Sequence, residues 1–173
     1  MIRVVVDDLA FLAADAIVRP ATVRLDPTTP VVRRLEQVGG AEFASRLRVQ
    51  KELAVGAAVV TAGGGDLPAE FVIHAVIQSD TEPVSRAGVA RAWQSALEQA
   101  REWEFASLTV PPIGTGAGNL SVEDAADVMV QVLQAHLGGG GAVYPANVSF
   151  VVETPEDRAV FEAALRRGGA AEA

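Results

Sequence analysis

The sequence predicts a single three-layer α/β/α domain, in which a central mixed sheet lies between helices on both faces. Strand-like and helix-like segments alternate over most of the chain, which is the pattern expected when helices cover both faces of a sheet. The 173 residues, half of them hydrophobic, suffice for one well-filled core and are few for two domains. A glycine-rich loop that joins an apolar strand to a helix indicates a binding site at one edge of that sheet.

The strands are predicted from short apolar runs rich in β-branched residues. They lie at Ile2–Val6, Ala16–Val18, Ala57–Ala62, Phe71–Ile77, Leu108–Val110 and Val148–Val152. We expect the strand at Leu108 to lie centrally in the sheet. Between the first two strands, Leu9–Ala14 is an alanine-rich turn or short helix. Residues 19–30 contain three prolines and three threonines, which predicts a long loop.

Helical periodicity and capping residues predict the helices. They lie at Val31–Val38 and Ala41–Leu53, split at Gly39-Gly40, and at Ser85–Trp103, Ser121–His136 and Thr154–Arg167. Ser121 and Thr154 are the expected N-caps of the last two helices, and Pro155 takes the first helical position after Thr154. We therefore expect the domain to span residues 1–167, with residues 168–173 as a disordered tail.

The composition argues against several kinds of ligand. A formal charge of −8 and a pI near 4.7 oppose binding to a nucleic-acid polymer. Without cysteine and with only two histidines, the chain offers no disulfide framework or metal cluster, and we expect no cofactor. It has no run of about 18 apolar residues, and acids follow the first strand too soon for a signal peptide. We therefore expect a soluble, cytoplasmic protein that does not bind membranes.

A loop with alternate glycines, Gly114, Gly116 and Gly118, precedes the helix that starts at Ser121. Such glycines let backbone N–H groups turn inward, and the helix N-terminus adds a positive dipole, so the loop predicts a site for phosphate or diphosphate. It lacks the Gly-Lys-Ser/Thr of a P-loop and the spacing of the dinucleotide fingerprint. A tight strand-to-helix turn without a ligand is the alternative.

Several stretches, in this order and spacing, resemble the macro domain family. Residues 4–9 (VVVDDL) and 15–18 (DAIV) resemble the family's opening. Residues 56–61 (GAAVVT) and 72–76 (VIHAV) resemble its paired middle strands, and residues 112–118 (PIGTGAG) resemble its phosphate loop. The resemblance covers nearly the whole chain. It implies a mixed sheet between helices and a cleft for ADP-ribose or a related nucleotide metabolite.

The resemblance also implies roles for particular residues. Asp8 matches the carboxylate that accepts a hydrogen bond from the adenine amino group, and Leu9 matches the neighbour whose backbone amide assists. Thr22 stands where an asparagine contacts the distal ribose. The loop that would wrap the diphosphate and the distal ribose comprises Ile113, Gly114, Thr115, Gly116, Ala117, Gly118 and Asn119.

The chain departs from the family pattern where the distal ribose would be held. Residues 19–22 read Arg-Pro-Ala-Thr in place of Asn-Ala-Ala-Asn, and residues 28–31, Thr-Thr-Pro-Val, stand in place of a glycine-rich loop. Pro30, in particular, has no N–H to donate to a phosphate. Together these departures alter half of the usual pocket. At the end of the last strand, Glu153 follows Val152 where an aromatic residue often stacks on adenine.

Two types of charged side chain need a separate interpretation. His74 lies in an apolar strand, which favours a structural histidine whose hydrogen bonds are satisfied over a catalytic one. Arg19 and Arg24 fall in the predicted loop on the cleft rim, where each either pairs with a ligand phosphate or is solvated.

These departures favour binding of ADP-ribose or a related nucleotide diphosphate without efficient turnover, because hydrolysis depends on precise placement of the distal ribose. The sequence contains no legible catalytic arrangement. Two alternatives stay open. One is hydrolysis of ADP-ribosylated protein or O-acetyl-ADP-ribose, with an ADP-ribosylated protein as partner. The other is a degenerate macro fold that serves as a structural or protein-interaction module.

Overall fold

The computed structural model describes residues 1–48, 51–116, 119–139, 141 and 143–169. Its strands are β1 (Ile2–Val6), β2 (Ala16–Thr22), β3 (Ala58–Ala62), β4 (Phe71–Gln78), β5 (Ser107–Val110) and β6 (Asn147–Val152). Its helices are α1 (Pro30–Arg48), α2 (Arg86–Glu102), α3 (Val122–Gly138) and α4 (Pro155–Arg167), with a short 3-10 helix at Leu9–Phe11. Strands and helices alternate over most of the chain, as the sequence predicts.

The strands form one mixed sheet in the order β1-β6-β5-β2-β4-β3. All neighbouring strands pair in parallel except β3 and β4, which are antiparallel. The prediction of a central strand at Leu108 is confirmed, since β5 and β2 are the two middle strands of the sheet. Parallel pairing aligns the carboxyl ends of β1, β6, β5, β2 and β4 along one edge.

Helices cover both faces of the sheet, which confirms the three-layer architecture. On one face, Trp93 of α2, Met129 of α3 and Phe161 of α4 pack in the largest buried cluster with Phe150 of β6. On the other face, Leu35 of α1 packs with Leu9, Ile17 and Val151. Neighbouring residues of β6, Phe150 and Val151, thus point to opposite layers, as the period of two in a strand requires.

The prediction that residues 19–30 form a loop is wrong for the first four of them. β2 continues to Thr22, and Arg19 and Pro20 pair in register with His74 and Ala75 of β4. A proline is tolerated there because β2 pairs with β5 only over Ala16–Ile17, so the strand has a ladder partner on one side beyond that point. The proline signal in the sequence was therefore misleading.

The break predicted at Gly39-Gly40 is present inside α1, where Gly40 has φ 72° and ψ −167°. The second helical stretch is shorter than predicted, because residues 51–53 are not helical. The Leu53 N–H instead donates to the carbonyl of Val23, at 2.8 Å. This bond ties the end of the stretch to the segment that follows β2.

The predicted helix caps are confirmed. The Ser121 hydroxyl accepts from the N–H of Asp124, and the Thr154 hydroxyl accepts from the N–H of Asp157, each at 3.1 Å. The predicted tail at residues 168–173 lies largely outside the described residues, so its disorder stays a prediction. Among the helices that the structure describes, none is long and apolar enough to cross a membrane.

Gly65 offers a test of the turn between β3 and β4. Its φ is +52°, and a Cβ added there would lie 2.5 Å from the carbonyl oxygen of Val38 and 2.7 Å from that of Gly39. We expect Gly65→Ala to lower the free energy of unfolding by about 1–3 kcal/mol, because backbone cannot move aside as a side chain can. Urea unfolding measures this change. Gly138→Ala is the control, since nothing lies within 4 Å of a Cβ at Gly138, and equal stability losses in both variants would contradict the assignment.

Candidate functional site

A cleft lies at the carboxyl edge of the sheet, between the start of α1 and the segments that follow β1, β5 and β6. It consists of two adjoining cavities of about 390 and 350 Å³ that share Pro30, Val31, Val151 and Glu153. The first cavity is further lined by Val6, Asp7, Asp8, Leu9 and Arg34. The second is further lined by Pro20, Thr29, Val32, Pro111, Pro112, Thr115, Gly116, Val122 and Asp157. We call them the Asp8 cavity and the Gly116 cavity.

The Asp8 cavity combines an aliphatic lining with three carboxylates, and each of the two oxygens of Asp8 has a hydrogen-bond partner. Asp8 is the N-cap of the 3-10 helix, and its Oδ1 accepts from the N–H of Ala10 at 3.0 Å. Its Oδ2 pairs with Nη1 of Arg34 at 2.5 Å. Leu9 is buried and joins the apolar cluster beneath the cavity. Arg34 was not predicted as a site residue, although it lies one helical turn after Pro30 and therefore shares the face that lines the cleft.

In the glycine loop, the two described glycines have different tasks. Gly114, with φ +90°, packs tightly, since a Cβ there would lie 2.7 Å from Cγ2 of Val89. Gly116, with φ +132°, lines the cleft, and a Cβ there would lie 3.7 Å from Cγ2 of Thr29 on the opposite rim. The first glycine thus seats the loop on α2, and the second leaves backbone exposed to the Gly116 cavity.

Of the other loop residues predicted for binding, Thr115 lines the cleft, Ile113 and Asn119 do not, and two lie outside the described residues. Ile113 is buried, and its N–H donates to Sδ of Met129 at 3.2 Å. Asn119 donates its backbone N–H to the carbonyl of Gly116 at 3.1 Å and is not among the lining residues. Thr115 lines the Gly116 cavity. Ala117 and Gly118 lie outside the described residues.

The structure does not bring Thr22 to the cleft. Its hydroxyl accepts from the N–H groups of Arg24 and Asp26 at 3.3 and 3.1 Å, which closes the turn after β2. Neither cavity includes it among its lining residues. The residues that the structure does bring together are Asp8 and Leu9 at one end and Thr115 and Gly116 at the other.

Three helices begin at the Gly116 cavity. Pro30–Val32 form the first turn of α1, Val122 is the first residue of α3, and Asp157 lies in the first turn of α4. Each helix N-terminus carries a partial positive charge and N–H groups without intrahelical partners, which favours an anion. The side chains oppose this, because Asp157 and Glu153 are carboxylates.

The structure corrects the interpretation of Arg19, which is neither in a loop nor solvated. Its side chain is fully buried, with Nε donating to Nδ1 of His74 at 2.7 Å and Nη2 donating to the carbonyl of Leu25 at 2.5 Å. Nη1 pairs with Glu36 of α1 at 3.4 Å. Burial lowers the pKa of Arg19 to about 10, against the raising effect of Glu36 and Asp26, so the guanidinium stays charged at neutral pH.

His74 is a buried structural histidine, as predicted. Because an arginine Nε can only donate, Nδ1 of His74 is the acceptor and Nε2 carries the hydrogen. The Nε2–H group donates a hydrogen bond to the hydroxyl oxygen of Thr61, at 2.7 Å. Burial, and then the charge of Arg19, lower the pKa of His74 well below 6.5. Burial raises the pKa of Glu36 above its ordinary value, although Arg19 opposes that shift.

Comparison with known proteins identifies the family. A family model of the macro domain matches residues 18–129. A macro domain-containing protein of Caldanaerobacter subterraneus subsp. tengcongensis is 30% identical over 174 residues, which cover 94% of each protein. The chain therefore belongs to the macro domain family, and the resemblance seen in its sequence is confirmed.

Other comparisons set the scale of the similarity. An uncharacterized protein of Mycobacterium tuberculosis is 31% identical over 93% of this chain, which spans only 44% of that protein. The chain thus spans less than half the length of the mycobacterial relatives that it matches. A Klebsiella pneumoniae protein named O-acetyl-ADP-ribose deacetylase is 29% identical over 78% of this chain and 80% of its own length.

Solved structures agree with the fold described above. The structure of an Oceanobacillus iheyensis macrodomain mutant with ADPR has a TM-score of 0.83 over 95% of this chain and 91% of that chain, at 23% identity. Another macrodomain mutant from the same organism has a TM-score of 0.84 at 22% identity.

The buried His74 predicts a pH dependence of stability. A histidine with a lowered pKa in the folded state binds a proton more readily in the unfolded state. Its contribution to the free energy of unfolding is therefore fully present above about pH 6.5 and is lost as the pH falls below that value. The slope reaches at most about 1.4 kcal/mol per pH unit. Urea unfolding between about pH 7.5 and 5 should show a steeper loss for the wild type than for His74→Gln.

The same measurement has an internal control. Phe161→Leu should keep the wild-type slope, because it removes no titratable group and lies in α4, in the cluster on the other face of the sheet from Arg19. Glu36 acts in the opposite direction at lower pH, but it is present in every variant and cancels in the comparison. Parallel curves for the wild type and His74→Gln would show that His74 is not held neutral by the fold.

Proposed function

We propose that the cleft binds ADP-ribose or a related nucleoside diphosphate metabolite and does not turn it over efficiently. The observation that carries this proposal is the continuity of the cleft between the carboxylate of Asp8 and the backbone of Gly116. A ligand with a base at one end and a diphosphate in the middle has the chemistry to use both ends. The structures of related macrodomains with ADPR or ADP support the same class of ligand.

The Asp8 cavity suits a purine base. Its aliphatic lining, which includes Val6, Val31 and Val151, would cover the faces of a ring. The carboxylate of Asp8 would accept a hydrogen bond from an exocyclic amino group, because a carboxylate offers acceptors only. The lining residues include no aromatic side chain, so an aromatic stacking contribution is not expected from them.

The Gly116 cavity suits the diphosphate. The first turns of α1 and α3 both line it, and the backbone at Gly116 has no side chain in the way. Pro30 removes one N–H donor from the α1 side. The backbone N–H groups of α3 and of the glycine loop would therefore make more of the hydrogen bonds to the diphosphate. Glu153 and Asp157 would weaken the binding of a diphosphate by repulsion.

Hydrolysis is the second candidate function, because a relative is named O-acetyl-ADP-ribose deacetylase. Its reaction would require the distal ribose and a water molecule to be held in a fixed geometry. In this chain the hydroxyl of Thr22 is used by the turn after β2 and does not reach the cleft. This observation supports binding over turnover.

Calorimetric titration with ADP-ribose, and with AMP and NAD for comparison, tests the binding proposal. Gly116→Val should abolish binding, because its φ of +132° is unfavourable for a β-branched residue and the backbone would shift away from the ligand. Gly141→Val is the matched control, since Gly141 also has a positive φ, +87°, and lies outside the cleft lining. Unchanged affinity in a folded Gly116→Val variant would contradict a diphosphate site in this loop.

The base end is tested separately with Asp8→Asn. An asparagine keeps an oxygen to cap the 3-10 helix but loses the negative charge that an amino group prefers. We expect ADP-ribose to bind about ten-fold more weakly, which corresponds to about 1.4 kcal/mol. Asp66→Asn removes the same charge from an exposed position outside the cleft lining and should have less effect. Equal effects of the two variants would indicate long-range charge rather than a contact.

Turnover is tested by release of ADP-ribose from a mono-ADP-ribosylated protein and of acetate from O-acetyl-ADP-ribose. We expect rates no higher than those of an Asp8→Asn, Gly116→Val double variant, because the distal ribose lacks its usual asparagine. Multiple turnovers well above that background would favour the hydrolase instead. If the protein shows no binding and no turnover, the result favours a structural or protein-interaction module.

A further inference from the structure

The ion pair between Asp8 and Arg34 places an acceptor and a donor side by side in the Asp8 cavity. Oδ2 of Asp8 lies 2.5 Å from Nη1 of Arg34, and Oδ1 of Asp8 is used by the N–H of Ala10. A base donor that reaches for Asp8 therefore meets an oxygen that already has a charged partner. The proposed function includes Asp8 but leaves Arg34 without a role.

Arg34 can leave Asp8 without disturbing the fold. Its side chain is 57% exposed, whereas that of Asp8 is 28% exposed, so the guanidinium reaches the pair from the solvent side of α1. Among the described residues, Asp8 is the only hydrogen-bond or ion-pair partner of the Arg34 side chain. An exposed pair of this kind is weak, because water and salt screen it.

The two side chains select opposite ligand groups. A carboxylate only accepts hydrogen bonds and a guanidinium only donates them. A base with an amino group at this position competes with Arg34 for the oxygens of Asp8, because the guanidinium takes up lone pairs and space that the amino group would use. A base with a carbonyl there is repelled by Asp8 but can accept from Arg34.

We propose that Arg34 is a specificity-determining residue of this cleft. Its guanidinium reduces the selectivity of the cleft for a purine with an amino group over the corresponding purine with a carbonyl. The inference rests on the proposed function, since it requires a base at Asp8. It goes beyond that function because it assigns base selectivity to a residue of α1. Removing the guanidinium should free Asp8 for adenine and deprive hypoxanthine of its donor.

The test compares ADP with inosine 5′-diphosphate, which share the ribose and the diphosphate. Their bases differ at C6, which carries an amino group or a carbonyl, and at N1, which carries a hydrogen only in hypoxanthine. Calorimetric titrations of the wild type and Arg34→Met give the ratio of the two dissociation constants. We expect the preference for ADP to rise at least about three-fold in Arg34→Met, with ADP bound up to about five-fold more tightly. Using the ratio removes the general effect of losing one positive charge near a diphosphate, since that effect is common to both ligands.

Arg33→Met is the matched control, because Arg33 is the exposed neighbour on α1 and does not line either cavity. It should leave the ratio unchanged. If the wild type binds ADP but Arg34→Met has an unchanged or smaller preference for it, the inference is wrong and the proposed function stands. An equal rise in Arg33→Met would also overturn the inference. If neither the wild type nor Arg34→Met binds ADP, the inference fails, and the proposed function fails with it only if ADP-ribose also does not bind.

Discussion

The structure depends on one constraint, the parallel alignment of five of the six strands. In a parallel sheet each chain returns through a crossover, so the segments that leave the strands gather at one edge. Here one loop joins the carboxyl end of β2 to α1, and another joins the carboxyl end of β5 to α3. Helix α4 begins soon after β6. The first turns of all three helices consequently meet at the Gly116 cavity. The helix N-termini at this cavity are therefore brought together by topology, and no basic side chain is among its described lining residues.

This arrangement explains how an acidic chain can offer a site for an anion. The described lining of the cleft includes four carboxylates, those of Asp7, Asp8, Glu153 and Asp157, and one cationic side chain, that of Arg34. Helix dipoles and backbone N–H groups act over short distances, where they can outweigh a distant net charge of −8. The cleft would thus attract an anion at close range and exert little long-range attraction on it.

A buried charge, that of Arg19, holds the segment that leads from β2 to α1. Arg19 is fully buried, which is costly for a charge unless its donors are satisfied. The guanidinium bonds His74 in the sheet, Leu25 in the segment after β2 and Glu36 on α1. It thereby joins three parts of the structure, and Leu25 is held with a positive φ of 64°. The path from β2 to the start of α1, which delivers Thr29 and Pro30 to the cleft, depends on this network.

The sequence by itself determined what depends on local patterns. Apolar runs and capping residues such as Ser121 and Thr154 predict the elements, because strand periodicity and cap chemistry act over a few residues. The positions of Asp8 and the glycine loop at the carboxyl edge of the sheet could be predicted for the same reason, since each comes just after a strand. Tertiary structure decided what depends on distant partners. Arg19 is charged and precedes a proline, so nothing local indicates burial beside His74, 55 residues away. Likewise, the pairing of Arg34 with Asp8 and the use of Thr22 within its own turn follow from how α1 and β2 are placed, which no local pattern records.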